Sequence, residues 1–496
     1  MLLFFNQAAV SKAVSDLAAA KRLTVIAGAG SSMEIGLPSW ESLVLGLLDD
    51  ALDARAWGDD REGFRAAARQ SGLLTTAEIV GSLLGEDMSG AIRTRLYGDN
   101  DPAALQPGPL ARAIAGLQDD FGPTMRLGTT NYDDLLERAL HERPAAERWW
   151  KRVRSSVTPG PPARGVVAVT HLHGLLGTET RGKIVLSERD YQRMQLTRTW
   201  QERWATDALS DSTCLFVGAS MTDANLIRYL YGAEPSRLRH VALFKRRPAD
   251  TVGEERFRTR LEQAETARWL RLGITPLYAD HFAEIAQFIH EVAAQRRLGT
   301  AYLPLPQRLH EWFDREGEAG SLYVADDAGY GDVQQLLRSE LCLLRDDARK
   351  LLSARGVDVA AEKLGVAVLS LFPPGMPGEA ERVIVLASSD RIMTSVDSIA
   401  PIPLGDGSEW TGVKAICRGS PLDEEKDVYA SRWRHVLGYP IYSDGVRTPR
   451  GAITIASMSP SSRLALNRLP PDARQSLANL VSRRSHRLFA DAEVRV

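Results

Sequence analysis

An amide, an imidazole and a set of glycines and hydroxyls fall in four short segments of this 496-residue chain. Asn131 and Asp133 lie in MRLGTTNYDDLLERAL (125–140), and His173 in VVAVTHLHG (166–174). Gly28, Ala29, Gly30 and Ser32 lie in LTVIAGAGSS (23–32), and Gly218 and Ser220 in TCLFVGASMTDANLIRYL (213–230). Imidazoles ordinarily titrate at about 6.5, so one set in a pocket can take up a proton at neutral pH. A carboxamide donates and accepts at once, so it can fix a water. Glycines after a strand let main chain approach a phosphate, and a following helix offers free N–H groups. Each segment also has a plainer explanation. Asn131 could cap the helix that follows it, Asp133 or Asp134 could favour that helix start, and GAG could be a tight strand–helix turn. Asp223 and Asn225 read as the start of helix NLIRYLYG rather than as ligand contacts. His171 lies two residues before His173, on the same side of a strand. No third ligand has convincing spacing, so no metal is expected.

The elements that must position these residues are strands. Every segment begins with an apolar run, and the polar or glycine-rich part follows at its carboxyl end. Open α/β sheets bind ligands in the crevice outside the carboxyl ends of their strands, where strand order reverses. Residues 41–118 carry helical periodicity and read as an insertion between the first two strands. The stretch 143–165, with Pro and Gly clustered at its end, reads as loop. KIVLSERDYQRM (183–194) reads as a short strand and a helix start, HVALFK (240–245) and ITPLYAD (274–280) as strands, and 281–297 as a closing amphipathic helix. The expected fold is α/β, a Rossmann-like parallel sheet with a helical insertion, over residues 1–298.

AYLPLPQRL (301–309) opens a linker, 299–330, because two prolines within three residues favour extended backbone. Beyond it, 331–496 read as a smaller α+β domain on an antiparallel sheet. A helix (332–354) precedes VAVLSLF (366–372), RVIVLAS (382–388), GVKAIC (412–417), HVLGYPIYS (435–443) and GAITIAS (451–457). SDGVRTPRG (443–451) reads as a hairpin, and 471–489 as a last helix.

Composition is ordinary for a globular chain, with 44% hydrophobic and 25% charged residues and a net charge of -2. No global field favours nucleic acid or anionic lipid. Cys214, Cys342 and Cys417 are too scattered for a disulfide framework or a CxxC zinc site. No segment approaches the ~20 apolar residues of a membrane span. A cytoplasmic location is expected.

The string from Gly28 to Trp40, GAGSSMEIGLPSW, resembles the NAD-binding signature of sirtuins. Thr129-Thr130-Asn131-Tyr132-Asp133, His173-Gly174 and Gly218-Ala219-Ser220 resemble that family's second, third and fourth signatures, in family order. The wording resembles the divergent sirtuin-like NAD hydrolases of bacterial anti-phage defence more than the deacylases, over about residues 10–295. The resemblance implies NAD as substrate and its cleavage to nicotinamide and ADP-ribose. It implies that Asn131 contacts the ribose and orients water, and that His173 is the general base. It also implies that Asp133 holds the nicotinamide or its ribose, and that Ser32 and Ser220 contact phosphate or ribose hydroxyls. It points to a homo-oligomer that an infection signal, protein or small molecule, switches on. Two departures speak against deacylation. The four-cysteine zinc module is missing, and Glu41 stands where the deacylases place Arg. An NAD-dependent deacylase and a non-catalytic NAD or ADP-ribose-binding module are the other two readings. Residues 330–490 resemble a GAF-type sensory domain, through VLGYPIYSDGVRTPRGAITIAS and its flanking helices.

Overall fold

The computed structural model describes residues 2–494, apart from 56–59, 86–87, 99, 147, 159, 161–162, 197–198, 233–239, 248–250, 309–326, 373–380, 392–400, 428–430, 443–448, 460–461, 463 and 465–467. Its described residues form two compact units. One comprises Gln7–Asp280 and Phe288–Tyr302, and the other Met1–Asn6, His281–Gln287 and Leu303–Val496.

The first unit is built on nine strands: β1 (Leu23–Ala27), β2 (Met125–Thr129), β3 (Arg152–Ser156), β4 (Val166–His171), β5 (Leu175–Leu176), β6 (Thr180–Arg181), β7 (Thr213–Val217), β8 (His240–Lys245) and β9 (Ile274–Ala279). β5 and β6 form a small hairpin. The other seven make one sheet, in the order β3-β4-β2-β1-β7-β8-β9. All its pairings are parallel. Parallel strands covered on both faces need continuous apolar runs, and LTVIA and TCLFV are buried at every position. From β1 the chain runs to β2 on one side and reaches β7 on the other, so the strand order reverses at β1. In register, Ala27 stands beside Thr129 and Val217, and Thr129 beside His171. The four carboxyl ends named by the sequence are therefore neighbours.

The insertion between β1 and β2 is helical: Trp40–Ala54, Arg61–Ser71, Leu73–Leu84, Met88–Tyr97 and Pro109–Phe121. Ser39 caps the first of these by accepting from the Ser42 N–H at 3.1 Å. Trp40 packs with Leu43, Leu47 and Ile92 in the core of this layer.

Two local expectations here fail. The stretch 143–165 contains edge strand β3, whose sequence RVRSS alternates exposed and half-covered positions and has no apolar run to betray it. Residues 183–187 form no strand. The helix Glu188–Leu196 does follow.

In the second unit, β10 (Leu364–Phe372), β11 (Arg382–Ser388), β12 (Ile402–Pro403), β13 (Leu422–Glu425), β14 (His435–Tyr442) and β15 (Pro449–Ser457) form an antiparallel sheet ordered β12-β11-β10-β15-β14-β13. Helices Asp327–Ser353 and Pro471–Val494 cover one face, where Leu341, Leu344 and Leu477 meet Val366, Leu437, Ile453 and Ile455. Helix Thr411–Arg418 covers the other face, where Val413, Ile416 and Cys417 meet Leu369, Val383 and Ala452.

That last helix corrects the strand expected at GVKAIC. A short apolar run carries too few residues to separate a buried helix from a strand. The expected linker also differs, because residues 305–308 are helical. A proline in a first turn, here Pro306, costs a helix no hydrogen bond. The turn of the expected hairpin, 443–448, lies outside the described residues, as do 309–326 of the linker. Among the described residues no helix is long and apolar enough to cross a membrane.

Candidate active site at the strand ends

The turn after β1 and the turn after β7 rest on each other through main chain. The Gly28 N–H donates to the Val217 carbonyl at 3.0 Å, and the Gly30 N–H to the Gly218 carbonyl at 2.8 Å. A Cβ on Gly28 would stand 2.6 Å from the Ala219 Cα, and one on Gly30 2.7 Å from the Gly218 Cα. Gly218 itself has φ +65°. These glycines are thus required by contact between two turns, before any ligand is considered.

The turn after β2 is tied to the same place. Thr130 N–H donates to the Ala27 carbonyl at 3.1 Å, and the Thr129 hydroxyl to the same carbonyl at 3.1 Å. Asn131 follows, buried, with its main-chain N–H on the Thr129 hydroxyl at 3.0 Å. Its amide orientation is fixed by its neighbours. Ser31 spends its hydroxyl proton on the Gly28 carbonyl (2.8 Å), and Ser32 spends its own on Asp133 Oδ2 (2.7 Å). Both hydroxyls can then only accept, so Asn131 Nδ2 donates to each at 3.1 Å. Asn131 Oδ1 is left buried with no protein donor. A buried acceptor without a partner costs about 1–3 kcal/mol, so the fold keeps it at a price a ligand or water can offset.

Asp133 is fully committed inside the protein. Its Oδ1 accepts from the Leu135 N–H at 3.2 Å, at the start of helix Leu135–Glu142, and its Oδ2 from Ser32. Burial raises its carboxyl above the usual range, against the Ser32 and Leu135 hydrogen bonds. Asp134 does not cap that helix. It accepts from the Thr178 N–H at 2.9 Å and hydroxyl at 2.5 Å.

His173 follows β4. Its carbonyl accepts from the Val185 N–H at 3.0 Å. Gly174 then needs φ +88°, with the Lys183 carbonyl 2.6 Å from where a Cβ would sit. His173 Nε2 lies 3.1 Å from Asp223 Oδ2. That oxygen also accepts from the Tyr191 hydroxyl at 2.7 Å, while Oδ1 accepts from the Leu226 N–H at 2.8 Å. Burial opposes ionisation of Asp223, but His173, Tyr191 and Leu226 outweigh it and hold the carboxyl down to about 2. With Asp223 ionised, Nε2 carries the proton of a neutral ring and Nδ1 is the nitrogen left to accept one. Sequence reasoning gave Asp223 the helix start alone. It does that with one oxygen and holds the histidine with the other. The signal available was its position six residues into the loop after β7, at the same sheet edge as His173.

Ser220 is exposed and shares a 2.6 Å hydrogen bond with Thr222. His171 and His173 engage different partners. His171 is held by Glu137 and by the Asn131 carbonyl, and His173 by Asp223. Trp150 is a core residue packed edge-on against Trp149, and Trp149 Nε1–H donates to the Gln118 carbonyl at 3.2 Å.

The SIR2-like domain family matches residues 126–269. The match covers less than a third of the chain. It takes in β2 through α-helical residues beyond β8, and so the turns bearing Asn131, His173 and Asp223. Two curated relatives are both named NAD(+) hydrolase ThsA. The Bacillus cereus protein is 27% identical over 184 residues, which are 35% of this chain and 37% of that protein. The Enterococcus faecium protein is 28% identical over 208 residues, 42% of this chain and 38% of that protein. The chain thus spans under two-fifths of the length of either relative. A solved Sir2 homologue–NAD complex is 15% identical, covering 58% of this chain and 93% of that one at a TM-score of 0.29. The roles of individual residues in the SIR2-like segment therefore rest on the geometry above.

Proposed function

We propose that the chain is an NAD glycohydrolase, and that the SIR2-like segment with the Gly28–Ser32 turn forms its active site. The observation that carries the reading is the buried, unpartnered Asn131 Oδ1, fixed in direction by Ser31 and Ser32 at the point where strand order reverses. The name shared by the two ThsA relatives supplies the substrate class.

In this reading water attacks the ribose carbon that bears nicotinamide. The glycosidic C–N bond breaks, its electron pair leaves with nicotinamide, and the new C–O bond gives ADP-ribose. One proton is released from the water. Asn131 Oδ1 accepts a hydrogen bond from that water and orients it, and His173 Nδ1 takes the proton. Asp223 keeps the ring in the required tautomer and stabilises the imidazolium that forms. General-base assistance of this kind is worth about 10²–10⁴-fold. Gly28, Ala29, Gly30, Gly218 and Ser220 line the pyrophosphate and ribose side. Ser32 and Asp133 act through Asn131, since their own hydrogen-bonding groups are engaged within the protein.

Deacylation is the weaker reading, because the three cysteines sit at Cys214 in β7, Cys342 in a helix and Cys417 in another helix. The antiparallel unit, by its resemblance to GAF domains, is proposed to sense the trigger or assemble subunits. A homo-oligomer switched on by infection, protecting a population by NAD depletion in the cytoplasm, is the proposed biological role.

The deciding experiment incubates purified full-length protein with NAD, with and without an acylated peptide, and quantifies nicotinamide and NAD binding. Release without peptide, lost in Asn131→Ala and His173→Ala while both still bind NAD, supports the proposal. Release only with peptide favours deacylation. Binding without release in either condition favours a signalling module.

A further inference from the structure

Beneath Asn131 lies a second imidazole that the reaction above does not use. The His171 ring is fully buried, with 0% exposure. Its Nδ1 is 3.2 Å from the Asn131 main-chain carbonyl, and its Nε2 is 2.7 Å from Glu137 Oε1. A carbonyl oxygen can only accept. Glu137 Oε1 accepts from the Ser155 hydroxyl at 2.6 Å, and a carboxylate oxygen has no proton to give the ring. Exchanging the ring's tautomer or flipping it still leaves one nitrogen without a proton to give. Both contacts are satisfied at once only if both nitrogens carry hydrogen.

We propose that His171 is a positioning residue, doubly protonated at neutral pH, which grips the Asn131 main chain from below and is itself held by Glu137. This deepens the role assigned to Asn131 and rests on that reading for its effect on turnover. The grip completes the fixing of the residue. Thr129 holds its N–H, His171 its carbonyl, and Ser31 and Ser32 its side-chain amide, leaving Oδ1 alone to meet water.

Among the described residues, Glu137 and Asp133 are the charged groups that act on the ring. Glu137 comes from helix Leu135–Glu142 and Asp133 from the turn before it; β3 contributes only the neutral Ser155 hydroxyl. Burial by itself drives the ring towards neutrality. The Glu137 charge and hydrogen bond, the Asn131 carbonyl and Asp133 together outweigh it and raise the His171 pKa above its ordinary value. A raised imidazole pKa means the grip is fully present below the ordinary imidazole range and is lost as pH rises through the folded-state value. The proposed enzyme therefore carries a descending alkaline limb set by a residue that never touches substrate.

The test uses full-length protein labelled with nitrogen-15 in its nine histidines. His171→Asn identifies the His171 signals by their disappearance. Both ring nitrogens are expected to read as N–H at neutral pH, and to remain so above the range where free imidazole titrates. Glu137→Gln keeps an acceptor but removes the charge. It is expected to bring that titration to lower pH, to move the alkaline limb of nicotinamide release with it, and to lower kcat about 10–100-fold with KM little changed. A His171 ring with one bare nitrogen at neutral pH overturns the proposal. So does a Glu137→Gln protein whose His171 titration stays put. If wild-type protein releases no nicotinamide but shows the doubly protonated ring, the hydrolase reading fails and the account of His171 stands.

Discussion

Replacing Asp223 with Asn tests the site most sharply, because the change removes one charge and almost no volume. Holding the carboxyl at about 2 rather than 3.8 corresponds to about 2.5 kcal/mol of preference for the ionised form in the folded state. The amide can still accept from the Leu226 N–H and so keep the start of helix Ala224–Gly232. The loss of stability is then at most about 2.5 kcal/mol, or roughly 5 °C in Tm for a unit of this size. Catalysis should fall much further. An amide nitrogen facing His173 Nε2 donates to it, which places the ring proton on Nδ1 and removes the base. Loss of a positioned base costs about 10²–10⁴-fold. The assay is nicotinamide release at saturating NAD beside NAD binding by calorimetry. Release should drop at least a hundredfold with Kd changed by only a few-fold. The folded pKa lies below the unfolded one, so the wild-type protein gains this stability above about pH 4 and loses it as pH falls towards 2. Asp223→Asn should flatten that acid dependence. A variant that keeps more than a third of wild-type release would refute the assignment of Asp223 as the orienting partner of His173.

Gly30→Ala places a methyl 2.7 Å from the Gly218 Cα, where only main chain can give way, so thermal denaturation should show a loss above about 2 kcal/mol. Gly174→Ala should cost a similar amount, since it combines φ +88° with a 2.6 Å approach to the Lys183 carbonyl. Glu34 is buried next to the start of helix Pro109–Phe121, accepts from the Leu110 N–H at 3.0 Å, and has its carboxyl pushed by burial up to about 8. A raised carboxyl pKa makes the wild-type protein progressively less stable from about pH 4.5 to 8, so Glu34→Gln should show a larger Tm advantage at pH 8 than at pH 5.

The strands that carry the candidate site were legible because parallel strands buried on both faces write themselves as apolar runs, and the polar residues that interrupt them mark the strand ends. LTVIA, MRLGT, VVAVTH and TCLFV are such runs. The edge strand RVRSS has one partner and open faces, so its charges conceal it. GVKAIC misled because six residues of apolar pattern fit either period. Within the candidate site, local spacing singled out His173 and Asn131 but not the residues that hold them. Asp223 follows β7, five elements on from β4 in sequence, and only the strand order brings it to His173. Spacing put His171 on the same side of β4 as His173 but could not show the partner waiting there. The Glu137 carboxylate reaches it from the next helix, six residues beyond Asn131.

The backbone contact between the turns after β1 and β7 has a consequence of its own. Where two loops meet through side chains, a cleft widens or narrows by swapping those side chains. Here Gly28 and Gly30 abut Gly218 and Ala219 with nothing interposed, so neither lip can swell without shoving the other aside. Their spacing is set by main-chain dimensions. In the proposed active site, any tuning of what binds is left to parts that still have side chains to spare, the Ser220–Thr222 stretch and the 183–191 segment beside His173.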